Sequence, residues 1–202
     1  MTARSATTAR RRRRAGGVRS RARRPVALTG TPGVGKTAVA RRLAPAWKAV
    51  EVADLALRAD AARRIRGGVE VDLARLRRAL RAPRALDGVD VLVGHLAHLL
   101  PVREAIVLRC HPRELVRRLG RARRGTATDR TENFVSEALD LVLAEAARAG
   151  VPLYEIDTTH RAVGDVARDV RRRLRRGGAP RRGIVDWLAD GSVTAHLLDG
   201  VG

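Results

Sequence analysis

The stretch Gly30-Thr31-Pro32-Gly33-Val34-Gly35-Lys36-Thr37 constrains this chain more than any other part of it. It fills the pattern G-x-x-x-x-G-K-[S/T], and its flanks fit: the apolar run Val26-Ala27-Leu28-Thr29 precedes it, and helical spacing of Val39, Leu43 and Ala46 follows over residues 37–46. In that strand–loop–helix context the glycines let successive backbone N–H groups turn toward one anion at the helix N-terminus. Lys36 then reaches the outer phosphates of a nucleotide, and the Thr37 hydroxyl can take Mg²⁺. The motif predicts a nucleotide-phosphate site.

The pattern around it is α/β. Further strands are expected near residues 50–52, 89–93, 105–108 and 153–156, with an extended piece at 69–71. The runs at 89–93 and 105–108 are continuously apolar, as strands buried on both faces are. Helices are expected at residues 54–66, 73–80, 112–122, 132–149 and 162–175. Alternating strands and helices predict a parallel sheet flanked by helices: a P-loop NTPase with five parallel strands. Residues 25–177 form that domain, 1–24 an arginine-rich tail and 178–202 a C-terminal extension.

Charge divides the chain unevenly. The formal net charge is +21, and Lys36 and Lys48 are the sole lysines, so arginine carries almost all of it. This excess fits either phosphate binding by arginine forks or a codon bias toward Arg and Ala. Residues 1–24 hold ten arginines, no acid and few apolar side chains, which predicts disorder. Two readings of the tail stand side by side, an arm for RNA or acidic surfaces and a solvated extension. Its arginines precede no apolar export region, and no stretch reaches the ~20 apolar residues of a membrane span. The single cysteine, Cys110, excludes an internal disulfide and reads as an inert core residue, so a reducing, cytoplasmic compartment is expected. The scattered Trp47, Phe134, Tyr154 and Trp187 make no base-stacking array.

Several residues lie where a ligand crevice is expected, at the C-terminal ends of strands. His95 follows the third strand and is a candidate to meet a phosphate or position a water. His98 is either a second functional group or a packing histidine, and zinc is not expected without a third ligand. Arg118, Arg121, Arg123 and Arg124 precede the flexible Gly125-Thr126-Ala127-Thr128 and resemble mobile arginines that close over phosphates. Asp54 ends the second strand, where a second substrate would enter. Asp157-Thr158-Thr159 ends the fifth and either contacts a base or caps the next helix through Thr159.

Taken in order, the loop, Gly94-His-Leu-Ala-His-Leu-Leu-Pro101, Val107-Leu-Arg-Cys-His-Pro112, Glu132-Asn133 with Glu137-Ala-Leu-Asp140, Glu155-Ile-Asp-Thr-Thr159 and Gly183-Ile-Val-Asp-Trp-Leu188 resemble the archaeal adenylate kinases of the adenylate kinase isoenzyme 6 family. The likeness spans residues 26–188. It implies a nucleoside-monophosphate-kinase-like fold with a short lid and a broad nucleoside-monophosphate kinase activity on AMP and other monophosphates. It also implies some ATPase activity and a part in small-subunit 16S rRNA maturation through ribosomal protein uS11. By the same matching, Gly33, Gly35, Lys36, Thr37 and Ala38 would touch ATP, with Mg²⁺ on Thr37. Residues 51–71 would bind the monophosphate, and residues 121–130 would form the lid. Lys36, His95 and Arg124 would be catalytic, and Arg123 would contact ATP. This chain departs from the family twice. Val93 stands where an Asp or Glu usually precedes the histidine by two residues and helps hold Mg²⁺, and Asp90 is at the wrong end of the strand to replace it. Thr126 replaces the usual lid aromatic.

Overall fold

The computed structural model describes residues 24–65, 68–123 and 125–199. The arginine-rich segment up to Arg23 and the lid residue Arg124 lie outside them. The first strand, β1 (Val26–Thr29), runs fully buried into the glycine loop, and α1 (Lys36–Leu43) follows. Next come β2 (Ala49–Glu51), α2 (Val52–Arg58), the hairpin β3 (Ala62–Ile65) and β4 (Gly68–Val71), and α3 (Leu73–Ala79). The chain then forms β5 (Val91–Val93), a short 3₁₀ turn (Ala97–Leu99), β6 (Glu104–Arg109), α4 (Pro112–Arg121), α5 (Ala127–Ala138) and α6 (Leu141–Arg148). It ends with β7 (Leu153–Asp157), α7 (Val163–Arg176), a 3₁₀ turn (Trp187–Ala189) and α8 (Gly191–Asp199).

Five strands form one sheet in the order β2–β5–β1–β6–β7. All its pairings are parallel, as the buried apolar runs predict. On one face Val39, Ala40 and Leu43 of α1, Leu115 and Leu119 of α4, and Val166, Val170 and Leu174 of α7 cover the sheet. On the other, Leu55 and Ala56 of α2, Leu76 of α3 and Ala146 of α6 do so. The fold is the expected P-loop α/β sandwich.

Two helices differ from the sequence expectation. The helix expected at 54–66 stops at Arg58, because Ala61 returns its N–H to Ala56 and Asp60 takes a left-handed φ of 51°. The chain then pairs Ala62–Ile65 with Gly68–Val71 instead of continuing as helix. The helix expected at 132–149 starts earlier, at Ala127, where Thr126 and Asp129 form a reciprocal capping box. It breaks at Asp140, whose φ is 56° and whose carboxylate is drawn to the Arg109 guanidinium. A tertiary ion pair there overrides helical periodicity.

Arg109, at the end of β6, is 1% exposed. Its guanidinium donates to Glu137 (2.8 Å), to Glu155 (3.1 Å) and to Asp140. Burial alone would oppose the charge, but the Glu137 and Asp140 carboxylates hold its pKa above the ordinary arginine value. Glu137 in turn accepts from Thr31 Oγ1 (2.5 Å), Cys110 N (3.1 Å) and Trp187 Nε1 (3.2 Å). Removing one member of such a buried ion network strands the others without partners. Glu137→Ala is therefore expected to destabilise the protein by about 3–5 kcal/mol, which lowers the melting midpoint by roughly 6–20 °C for a domain of this size. Arg63→Ala, which cuts the exposed pair to Glu70, should leave the midpoint where it was. Calorimetry of both variants checks the contrast; equal shifts would contradict it.

Candidate nucleotide site

The glycine loop sits at the C-terminal end of the central strand β1, between β5 and β6, where open α/β sheets bind ligands. Its shape depends on glycine at two places. Gly30 has φ +132° and lies against β6 so closely that a Cβ would stand 2.3 Å from the Leu108 carbonyl oxygen. Gly33 has φ +97°, and a Cβ would meet Leu115 at 2.7 Å and Leu119 at 2.9 Å. The α1 N-terminus has no side-chain cap and no acidic residue in its first turn. Its leading N–H groups are thus left for an anion, which the helix dipole also favours.

Lys36 Nζ donates to the loop carbonyls of Gly30 (2.6 Å) and Thr31 (2.9 Å). Lys36 as a residue is half-buried, but its ammonium is enclosed by the loop. That desolvation lowers its pKa from 10.5 to about 8, against the opposing pull of Glu51 and, less strongly, Glu137. An enclosed cation held only by carbonyls is poised for an anion to complete its coordination. Thr37 and Ala38 follow in the first turn of α1.

His95 lies beyond β5, after Gly94, and its backbone carbonyl accepts a bond from Thr29 Oγ1 (3.1 Å). Partial enclosure of its ring and then the charge of Lys36 hold its pKa below the ordinary histidine value. His95 is itself an exposed residue at this edge of the sheet, and both influences favour its neutral imidazole. His98, in contrast, is packed inside. Its ring nitrogens lie 3.0 Å from Thr29 Oγ1 and 3.0 Å from Glu145 Oε2, a structural bridge from β1 to α6. Among the described residues no group of three or more His, Cys, Asp or Glu side chains could hold a metal ion by itself.

On the α4 and α7 side of the loop a groove of about 250 Å³ is lined by Gly33, Val34, Val39, Arg118, Thr158 and Arg161. Arg118 is fixed there rather than mobile. It pairs with Glu114 (3.0 Å) and donates to Thr158 Oγ1 (3.2 Å) and the Thr158 carbonyl (2.8 Å). Arg121 ends α4, and Arg123 sits exposed just beyond it with a left-handed φ of 48°. Thr159 does not cap α7, whose N-cap is Ala162 without a side-chain bond. Instead Thr159 Oγ1 accepts from His111 N (2.8 Å) and donates to Asp157 (2.6 Å), tying β7 to α4. Asp54 lies exposed in the first turn of α2 rather than at a strand end. Cys110 is buried, and burial pushes its thiol up to about 12, so it is inert as expected.

Sequence reasoning did not single out Glu137 as the support of the loop, nor Arg161 and Val34 as groove lining. The signal for Glu137 was faint: an acid on the apolar side of a helix, in register with no visible partner. Its partners Thr31, Arg109 and Trp187 lie far away in sequence.

Residues 26–140 match a family model described as an AAA domain. A protein of Thermococcus onnurineus named "Putative adenylate kinase" is 35% identical over 178 residues, covering 87% of this chain and 98% of the relative. A Halobacterium salinarum protein of the same name is 39% identical over 175 residues, covering 80% of this chain and 96% of that relative. Among solved structures, an uncharacterized protein from Eubacterium ventriosum superposes with a TM-score of 0.51 at 14% identity, covering 76% of this chain and 98% of that one. That likeness concerns the fold alone.

The composition makes the state of Lys36 measurable. A lysine whose folded pKa is depressed binds fewer protons in the folded state than in the unfolded one between the two values. Stability conferred by this group therefore rises as pH increases from about 8 toward 10.5, by up to about 1.4 kcal/mol per pH unit. Cys110 acts in the opposite sense above its unfolded value, so the comparison is with Lys36→Met, which keeps Cys110. Denaturant titrations at successive pH values should show the wild-type curve gaining on the Lys36→Met curve across that window; parallel curves would mean the ammonium is not enclosed. Sequence identity across nearly the full length of these archaeal relatives, together with the glycine loop, places the chain in their family, the archaeal proteins named "Putative adenylate kinase".

Proposed function

We propose that this protein is a nucleoside-monophosphate kinase that transfers the γ-phosphoryl group of ATP to AMP or another monophosphate. The observation that carries this reading is the enclosed Lys36 ammonium beside an uncapped α1 N-terminus, at the sheet edge where His95 follows β5. The nucleotide's phosphates would replace the two carbonyls as partners of Lys36, and the base would enter the groove beside Arg118 and Arg161. Arginine faces suit a stacked ring. The monophosphate would lie on the other side of the loop, toward α2 and the β3–β4 hairpin, within residues 51–71.

In the transfer an oxygen of the AMP phosphate attacks the γ-phosphorus, and the bridging oxygen departs with ADP. Lys36 and the lid arginines Arg123 and Arg124 would neutralise charge that develops on the transferring group, and lid closure would shut out water. His95, neutral near pH 7, would donate to a phosphate oxygen or hold a water in place. The oxygen donors at the loop are of the hard kind Mg²⁺ accepts. Thr37 would hold Mg²⁺, whose contribution is to neutralise the β- and γ-phosphates. Without a receptor phosphate the same site would hydrolyse ATP slowly. No helix among the described residues is long and apolar enough to cross a membrane.

A second reading makes ATP a gate for attachment to the small ribosomal subunit, through uS11 or 16S rRNA. It is supported by exposed arginines at the ends of two helices that cover the same sheet face, Arg41 and Arg42 of α1 and Arg175 and Arg176 of α7, with Arg181 and Arg182 exposed beyond α7. Such a face would grip phosphates and lose affinity steeply with salt.

The test is ADP formation from ATP with and without AMP, for the wild type and Lys36→Ala. The kinase reading expects AMP to stimulate ADP formation strongly and Lys36→Ala to lower kcat/KM by at least about 100-fold, the scale for losing a charged phosphate contact. ATP hydrolysis indifferent to AMP would favour the assembly role. A Lys36→Ala variant with most of its activity would overturn both.

A further inference from the structure

Val93 poses a problem for a kinase, because its place at the end of β5 is where a metal-holding carboxylate is expected. The strand register indicates a replacement. In the parallel pairing of β2 with β5, Glu51 stands directly opposite Val93, and each is the last residue of its strand. The two side chains share a face of the sheet. Val91 and Val93 pack in the core formed with α1, and Ala49, two residues before Glu51 on β2, packs against that same core. That is the face whose upper edge carries Lys36 and Thr37 at the start of α1. Val93 is 1% exposed, whereas Glu51 is half-buried at the C-terminal edge of the sheet.

Distance can be weighed against reach. β2 lies one strand farther from β1 than β5 does, roughly 4.8 Å. Glutamate extends one methylene beyond aspartate, and Mg²⁺ keeps several of its waters, binding through one or two carboxylates and the substrate's phosphates. A carboxylate one strand removed can therefore act by accepting from a metal-bound water. The other carboxylates nearby are committed elsewhere or misplaced. Glu137 is taken by Thr31, Arg109, Cys110 and Trp187. Asp90 accepts from Lys48 N at the opposite end of β5. Asp54 is exposed on α2.

We propose that Glu51 supplies the divalent-cation carboxylate that Val93 lacks, holding Mg²⁺ together with Thr37 and the nucleotide phosphates. This rests on the ATP-binding reading above. It makes β2, rather than β5, the source of the acidic group, and it lets a chain with an apolar residue at 93 keep a metal.

The experiment separates nucleotide from metal. A non-hydrolysable ATP analogue is first titrated into the protein by calorimetry with a chelator present. Mn²⁺, visible by electron paramagnetic resonance, is then titrated into the protein–analogue complex. For Glu51→Gln the expected result is unweakened metal-free binding of the analogue, because a negative charge beside Lys36 has been removed, and Mn²⁺ affinity about tenfold or more lower. Placing Val93→Asp in the Glu51→Gln background should recover Mn²⁺ affinity. Mn²⁺ held as tightly by Glu51→Gln as by the wild type would overturn the proposal. So would a folded, analogue-binding double variant that stays weak. Should the wild type bind no analogue at all, the kinase reading falls and the proposal with it.

Discussion

The Glu137 carboxylate, buried beside the Arg109 guanidinium, is where the phosphate loop, the central sheet and the closing segment of the chain meet. Thr31 belongs to the loop, Arg109 and Cys110 to the end of β6, and Trp187 to the stretch beyond α7. A charge in the interior is costly unless each of its lone pairs finds a donor. Here four donors from three separate parts of the chain converge on one side chain, so none of these parts can shift without breaking a buried bond. The loop keeps its anion-binding curvature partly because its own Thr31 is anchored from behind.

The same network explains the position of the last segment. Trp187 stacks edge-on against His111 with ring centroids 5.3 Å apart, and His111 bonds Asp190 (3.0 Å). The Ser192 and His111 bonds hold the Asp190 carboxyl down at about 2. Phe134 and Val193 complete a small apolar cluster over α5. Residues beyond α7 therefore support α4 and α5, the helices on either side of the expected lid, and they do so through aromatic contacts in a chain with very few aromatics.

Legibility of the sequence followed the range of the interactions. The glycine loop, the buried strands and α7 are written locally, in turn chemistry, apolar runs and helical spacing, and the structure matches them closely. The hairpin at Ala62–Ile65 was hidden because Arg63 and Arg64 sit on an exposed two-stranded ribbon with no apolar alternation to mark it. The break at Asp140 was hidden because its cause is Arg109, thirty-one residues earlier. The positions of Lys36 in the loop and of His95 beyond a strand end were readable from motif and apolar run. The fixed geometry of Arg118 was not, since a partnered arginine and a free one look alike in so arginine-rich a sequence. Glu51 became significant only once the register set it opposite Val93.

If the Glu137 junction governs the loop, nucleotide binding must be felt at Trp187. The direct measurement is the fluorescence of Trp187 in a Trp47→Phe protein while the non-hydrolysable ATP analogue is added. The account predicts a change in emission that saturates with binding and is lost in Glu137→Gln. Emission that stays constant while calorimetry shows the analogue bound would contradict it, and the loop and the closing segment would then be independent parts.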